Sequence, residues 1–152
     1  MVKPRELGHV NIRVRDLERA EKFYTEVLGL TVTHRREAIV FMSAKPGHHS
    51  HEIAIRAMSP NALTADPKRV GTNHFAWRMN SFEDLQEIYW RLKEKGVEIS
   101  NMRGNTFSMG IYFEDPDGNG NEAYYETDDA AWLRGSWEGE CPWKLEEAPA
   151  RR

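Results

Sequence analysis

Apolar and polar residues alternate over 7–14, where Val10, Ile12 and Val14 are separated by Asn11 and Arg13. This period of two predicts a strand. The spacing then changes. Leu17, Ala20, Phe23, Tyr24, Val27 and Leu28 recur at helical intervals behind Asp16, a suitable N-cap, and Gly29 ends the run. Residues 30–34 and 38–43 predict a hairpin turning at Arg35-Arg36-Glu37, Lys45-Pro46-Gly47 breaks it, and 51–57 predicts another strand. After a connector at 59–70 the same order returns. Strand 72–79 leads to a helix with Ser81 as N-cap and Phe82, Leu85, Ile88, Tyr89 and Leu92 on its apolar face. Gly96 stops it, and strands at 97–101, 109–114 and 121–126 complete the set.

The repeat is also visible residue by residue. Gly8-His9-Val10-Asn11-Ile12-Arg13-Val14 is echoed by Asn73-His74-Phe75-Ala76-Trp77-Arg78-Met79, and a Tyr follows each His by fifteen residues, at Tyr24 and Tyr89. The expectation is an α+β chain of two tandem βαβββ modules, about 6–58 and 71–127. Their mixed sheets would curl around a shared cleft in a single domain across 1–152. The tail at 128–152, with Trp132, Trp137 and Trp143, falls outside the repeat. Its tryptophans are expected to pack on the domain or on a partner subunit.

Composition narrows the function. A chain of 152 residues suffices for one core, and 39% hydrophobic with 30% charged residues is ordinary for a globular domain. With 24 acids against 21 bases the net charge is −3, so no basic field awaits nucleic acid. No apolar run reaches membrane-spanning length, and residues 1–6 hold no secretion signal. The single cysteine, Cys141, excludes an intramolecular disulfide. Together these predict a cytoplasmic protein with no nucleic-acid or membrane partner.

The chemistry lies in the echoed histidines. His9 and His74 occupy matching places, and Asp115-Pro116-Asp117-Gly118-Asn119-Gly120-Asn121-Glu122 delivers a carboxylate to the start of the last strand. Two imidazoles and one carboxylate on one face of a divalent metal leave neighbouring positions open. The Asp-Pro-Asp-Gly-Asn run predicts the tight turn that aims Glu122. Glu126 shares the face of Glu122 four residues on and is the fallback ligand. Tyr112, ten residues before Glu122, can hydrogen-bond a substrate oxygen. His48-His49-Ser50-His51 supplies imidazoles that titrate near neutrality and can carry a proton.

The strand-helix-three-strand repeat, the paired histidines and the closing Asp-Pro-Asp-Gly-Asn-x-x-Glu resemble the vicinal oxygen chelate superfamily over about residues 6–127. That group includes glyoxalase I, fosfomycin-resistance transferases, bleomycin-binding proteins and type I extradiol (catechol 2,3-) dioxygenases. The resemblance implies metal ligation by His9, His74 and Glu122. Iron(II) is the first expectation, with manganese(II), nickel(II) or zinc(II) as alternatives. It implies an extradiol dioxygenase acting on a small catecholic aromatic with dioxygen, as a homo-oligomer. Tyr112 matches the active-site Tyr of those enzymes, and His51, with His49 second, matches their proton-carrying His. Two other readings stand beside it. One is a glyoxalase-like isomerase or lyase with Glu52 as fourth ligand. The other is a metal-free protein of the bleomycin-resistance type that traps an aromatic. Counting back from Ile55, the position matching Glu122 is filled by Ala54, which leaves a coordination position open. One departure stands out. The dioxygenases carry a further His shortly before the Tyr, and residues 101–108 hold none, offering Arg103 and Asn105 instead.

Overall fold

Both helices begin where a short polar side chain meets an apolar periodicity. Asp16 accepts from the Arg19 N–H at 3.0 Å and Ser81 accepts from the Asp84 N–H at 3.1 Å. Each bond satisfies one orphan donor of a first turn, and losing such a cap typically costs about 1 kcal/mol. Both helices end ahead of a glycine in left-handed conformation, Gly29 at φ 72° and Gly96 at φ 67°.

The computed structural model describes residues 1–66, 68, 70–127 and 140–147. Trp132 and Trp137 lie outside the described residues. The chain divides into two compact units, Met1–Ala65 and Asp66–Arg152. The first contains β1 (Val10–Val14), α1 (Leu17–Glu26), β2 (Thr31–Arg36), β3 (Ile39–Ser43) and β4 (Ile53–Ala57). The second contains β5 (Phe75–Arg78), α2 (Phe82–Glu94), β6 (Ile99–Gly104), β7 (Ser108–Glu114) and β8 (Gly120–Glu126). The sheet orders are β1-β4-β3-β2 and β5-β8-β7-β6, each with one parallel pair and two antiparallel pairs. The expected α+β pair of βαβββ modules is therefore what the chain forms.

Each sheet buries one face under its helix. In the first unit Ile12, Val14, Val40, Met42, Ile53 and Ile55 form a core with Ala20, Phe23 and Tyr24 of α1. In the second, Ile111, Phe113 and Ala123 do the same with Leu85, Ile88, Tyr89 and Leu92 of α2. The alternate residues of every strand fall on the opposite face. The segment 140–147 closes the second unit. Trp143 packs on Phe82 and Tyr125 and donates its indole N–H to the Asn105 carbonyl at 3.0 Å. Gln86 donates to the Lys144 and Glu147 carbonyls. This tryptophan thus packs on its own domain.

Some boundaries differ from the sequence expectation. Strand β2 continues to Arg36, so the hairpin turns at Glu37-Ala38, and β6 continues to Gly104. Both are edge strands whose side chains are mostly polar and exposed. Their state is decided by backbone pairing to a neighbour, which hydrophobic alternation does not report. His9, His74 and His51 stand just ahead of β1, β5 and β4.

The duplication extends to a defect. Register slips between Val32 and His34 in the first unit and between Ile99 and Asn101 in the second. The bulged residues, Thr33 and Ser100, both carry hydroxyls. Ser100 donates to the Tyr112 carbonyl at 3.1 Å, and Thr33 sits 3.2 Å from the Phe41 carbonyl. Bulges re-aim strands next to functional faces.

Candidate metal centre

Strand pairing fixes which side chains share a rung. In the second unit Asn101, Tyr112, Glu122 and Ala76 are cross-strand neighbours in that order. The equivalent rung of the first unit is His34, Phe41, Ala54 and Asn11. Ala54 therefore occupies the register position of Glu122, as the count along the sequence expects. The first sheet has no carboxylate there.

Glu122 is held on several sides. Its Oε2 lies 3.1 Å from His74 Nε2, and it accepts a hydrogen bond from the Tyr112 hydroxyl. The His74 and Tyr112 rings meet edge to face at 5.3 Å. His74 Nδ1 lies 2.7 Å from the Asn73 side-chain oxygen. With Nδ1–H donated to Asn73, Nε2 presents a lone pair to a carboxylate. Two acceptors 3.1 Å apart require a proton or a cation between them. A ring nitrogen oriented by an amide on its far side, facing an anionic oxygen, is the donor arrangement a divalent cation takes. The residues present fit a metal.

Two glycines create the space. A Cβ on Gly110 would strike the Glu122 carboxylate, with Cδ only 3.3 Å away. A Cβ on Gly120 would strike the Asn73 carbonyl oxygen and come within 3.3 Å of the His74 Cα. Gly120 thus lets β8 approach the backbone that carries His74. Beyond it, Asp115 builds the turn. Its Oδ1 accepts from the N–H groups of Asp117 and Asn119, both at 2.9 Å, and its Oδ2 accepts from the Asn119 amide at 2.8 Å. Buried Asn121 ties β8 to β5 by accepting from the Trp77 indole at 3.0 Å. The loop acts as the expected turn. Asn73, Gly110 and Gly120 are positioning groups that the motif reading missed. A glycine inside a strand two residues from Tyr112 was the available signal.

A cavity of about 590 Å³ opens on this face, lined by Tyr112, Glu122, Arg103, Asn105, Tyr124 and Glu126 among others. Burial, then the hydrogen bond and charge of Glu122, push the Tyr112 phenol up to about 12, against an opposing pull from Arg103. Tyr112 is therefore a proton-bearing donor throughout the neutral range. Tyr124 is also raised, chiefly by burial and then by Glu126.

The first unit gathers a second cluster. The His9 and His51 rings lie 4.5 Å apart, and His51 packs edge to face on Phe41 at 4.8 Å. His51 Nδ1 is 2.9 Å from the Ser50 hydroxyl. Burial, then the neighbouring His9, lower its pKa, with Glu52 opposing. His49 is exposed in the preceding loop, its N–H directed to the Lys45 carbonyl. Glu52 turns its carboxylate to the Ala44 N–H at 3.0 Å. Among the described residues no group of three His, Cys, Asp or Glu is arranged to hold a metal. Each unit instead brings part of the sequence-derived set together: His9 with His51, and His74 with Glu122 and Tyr112.

Comparison with known proteins places the chain in a family. The chain is 29% identical over 129 residues to a catechol-2,3-dioxygenase of Bacillus subtilis (strain 168), covering 84% of this chain and 44% of that protein. It is 29% identical over 119 residues to biphenyl-2,3-diol 1,2-dioxygenase 3 of Rhodococcus globerulus, covering 78% and 61%. The chain thus spans about half the length of these curated relatives. A glyoxylase/bleomycin resistance protein/dioxygenase domain from Frankia sp. EAN1pec superposes with a TM-score of 0.69 at 25% identity, over 82% of this chain and all of that one. Among the described residues no helix is long and apolar enough to cross a membrane. Residues 6–123 match the family described as Glyoxalase/Bleomycin resistance protein/Dioxygenase superfamily, and the chain belongs to it.

Proposed function

We propose that this protein is an extradiol-type ring-cleaving dioxygenase that acts on a catecholic aromatic with dioxygen. His9, His74 and Glu122 are the proposed ligands of a divalent metal. The observation that carries the reading is the convergence of His74 Nε2 and Glu122 Oε2 at 3.1 Å beside a protonated Tyr112 on a cavity wall. The register equivalence of Ala54 and Glu122 supports a three-donor site with open positions, and so does the engagement of Glu52 with Ala44. Similarity to two ring-diol dioxygenases supports the reaction class.

Iron(II) is the first choice of metal, with manganese(II), nickel(II) or zinc(II) as alternatives. Bound there, the metal supplies a chelation point for two vicinal oxygens and a path for electrons to dioxygen. The remaining work belongs to side chains. The Tyr112 phenol donates a hydrogen bond to a substrate oxygen beside Glu122. His51, its neutral form favoured by burial, accepts a catechol proton and later returns it. The His9 ring lies beside it, 4.5 Å between centroids.

The test is metal analysis after anaerobic purification, followed by a screen of catechols under oxygen. Stoichiometric metal and an oxygen-dependent yellow ring-cleavage product are expected. Fully loaded protein that opens no catechol, yet converts a thiohemiacetal, would replace this reading with the glyoxalase-like one.

A further inference from the structure

One rung away from Glu122, the sheet of the second unit carries Arg103, Gly110, Tyr124 and Arg78 as cross-strand neighbours on the same face. The equivalent rung of the first unit carries Arg36, Ile39, Arg56 and Arg13. The metal rung diverged between the two copies, since Ala54 stands for Glu122. The next rung kept an arginine at both ends in both copies.

Arg103 is distinct among these. It lines the cavity, and among the described residues its guanidinium has no hydrogen bond or ion pair. Arg78, by contrast, donates to the Glu126 carbonyl at 3.3 Å. Directly across from Arg103 stands Gly110, whose missing side chain admits the Glu122 carboxylate, and beyond it the ring of Tyr124. The cation therefore faces the cavity beside the proposed metal-ligating carboxylate. A flat ligand held at Glu122 through its hydroxyls would turn its far edge toward the guanidinium. Same-face residues on one strand lie about 6.6–6.8 Å apart. That spacing separates the Arg103 rung from the Glu122 rung and matches the reach from vicinal ring oxygens to a substituent across the ring. The planar fork of a guanidinium suits a carboxylate in two-point contact.

We propose that the cavity selects an aromatic ligand bearing a carboxylate as well as vicinal hydroxyls, and that Arg103 determines this specificity by receiving the carboxylate. The hydroxyl half rests on the dioxygenase reading, while the carboxylate half stands on the cavity alone. Glu122 and Glu126 line the same cavity and oppose an anion, so the preference depends on Arg103 and not on a general positive field.

The probes are 3,4-dihydroxybenzoate and its methyl ester, which share ring and hydroxyls and differ in charge. Calorimetry on metal-loaded and on chelator-stripped protein reads their affinities. The acid is expected to bind about tenfold tighter or more than the ester, a factor of ten being about 1.4 kcal/mol and a charge-assisted bond about 1.5–3 kcal/mol. Arg103→Gln should erase the preference, with Arg103→Lys restoring part of it. Glu126→Gln should move acid affinity the opposite way. Thermal melts of each variant check that the fold persists. Equal binding of acid and ester by wild type, no binding of the acid in either form, or a preference that survives Arg103→Gln overturns the proposal. Cleavage of neutral catechols without any acid preference would remove this inference and leave the dioxygenase standing. Arg103-dependent acid binding without oxygen-dependent cleavage would do the reverse.

Discussion

Tyr112 and Glu122 are direct cross-strand neighbours in the antiparallel β7–β8 ladder, on the face that lines the cavity. Their side chains share a hydrogen bond, so the proposed ligand and the proposed substrate-orienting phenol are placed by one register. A one-residue slip of β8 would send Glu122 to the helix-covered face and part the two.

His9→Ala, His74→Ala and Glu122→Ala should each lose most of the bound metal with the fold retained, because each removes one of the three proposed donors. Glu126→Gln, four residues along the same face, should leave metal content nearly unchanged. Elemental analysis with circular dichroism reads both. Stoichiometric metal in two of the three alanine variants would sink the ligand set.

Gly110→Ala tests positioning without touching a ligand. The new methyl would displace the Glu122 carboxylate. Metal affinity should fall about 10–100-fold, the range for disturbed supporting groups. Alanine in place of glycine lowers unfolded-chain entropy, so the melting temperature should change little. Unchanged affinity would mean that Glu122 does not need its present place.

The Tyr112 phenol, raised from 10.0 to about 12, predicts an alkaline titration with a definite sign. Between those values the unfolded chain sheds the proton first, so stability present below pH 10.0 is lost as pH rises toward about 12. Glu122→Gln removes a charge that favours the neutral phenol and should bring the transition down. Arg103→Gln removes an opposing charge and should raise it. Difference spectra against Tyr112→Phe isolate this phenol, and identical curves in all three backgrounds would contradict the geometry.

His51→Ala should keep metal but slow turnover at least ~10²-fold, the lower range for a general acid–base group. Burial and His9 lower the His51 pKa, so its neutral form persists through pH 7. The acid limb of the rate profile should lie below the ordinary 6.5 and vanish in the variant. Wild-type turnover in His51→Ala with a dead His49→Ala would reassign the proton carrier.

Glu52→Gln separates three-ligand from four-ligand chemistry. Its carboxylate already serves the Ala44 N–H, so metal affinity should stay within about tenfold. A loss equal to that of Glu122→Ala would make Glu52 a ligand.

Much of this was legible in the chain. Paired capping residues, stop glycines and the echoed histidines specified two βαβββ modules, because those signals act within a few residues. The count that gave Ala54 the register position of Glu122 also held, since strands alternate with a rigid period of two. The ends of β2 and β6 were not legible, because an edge strand is defined by its partner's backbone and its polar side chains show no alternation. Nor was the use of Gly110, Gly120 and Asn73. Their role is to leave or fill space around Glu122 and His74, and side chains distant in sequence define that space. The same holds for Arg103. Sequence marked it only as standing where a histidine was expected, and tertiary pairing placed it across from Gly110, on a cavity wall with its charge unmatched among the described residues.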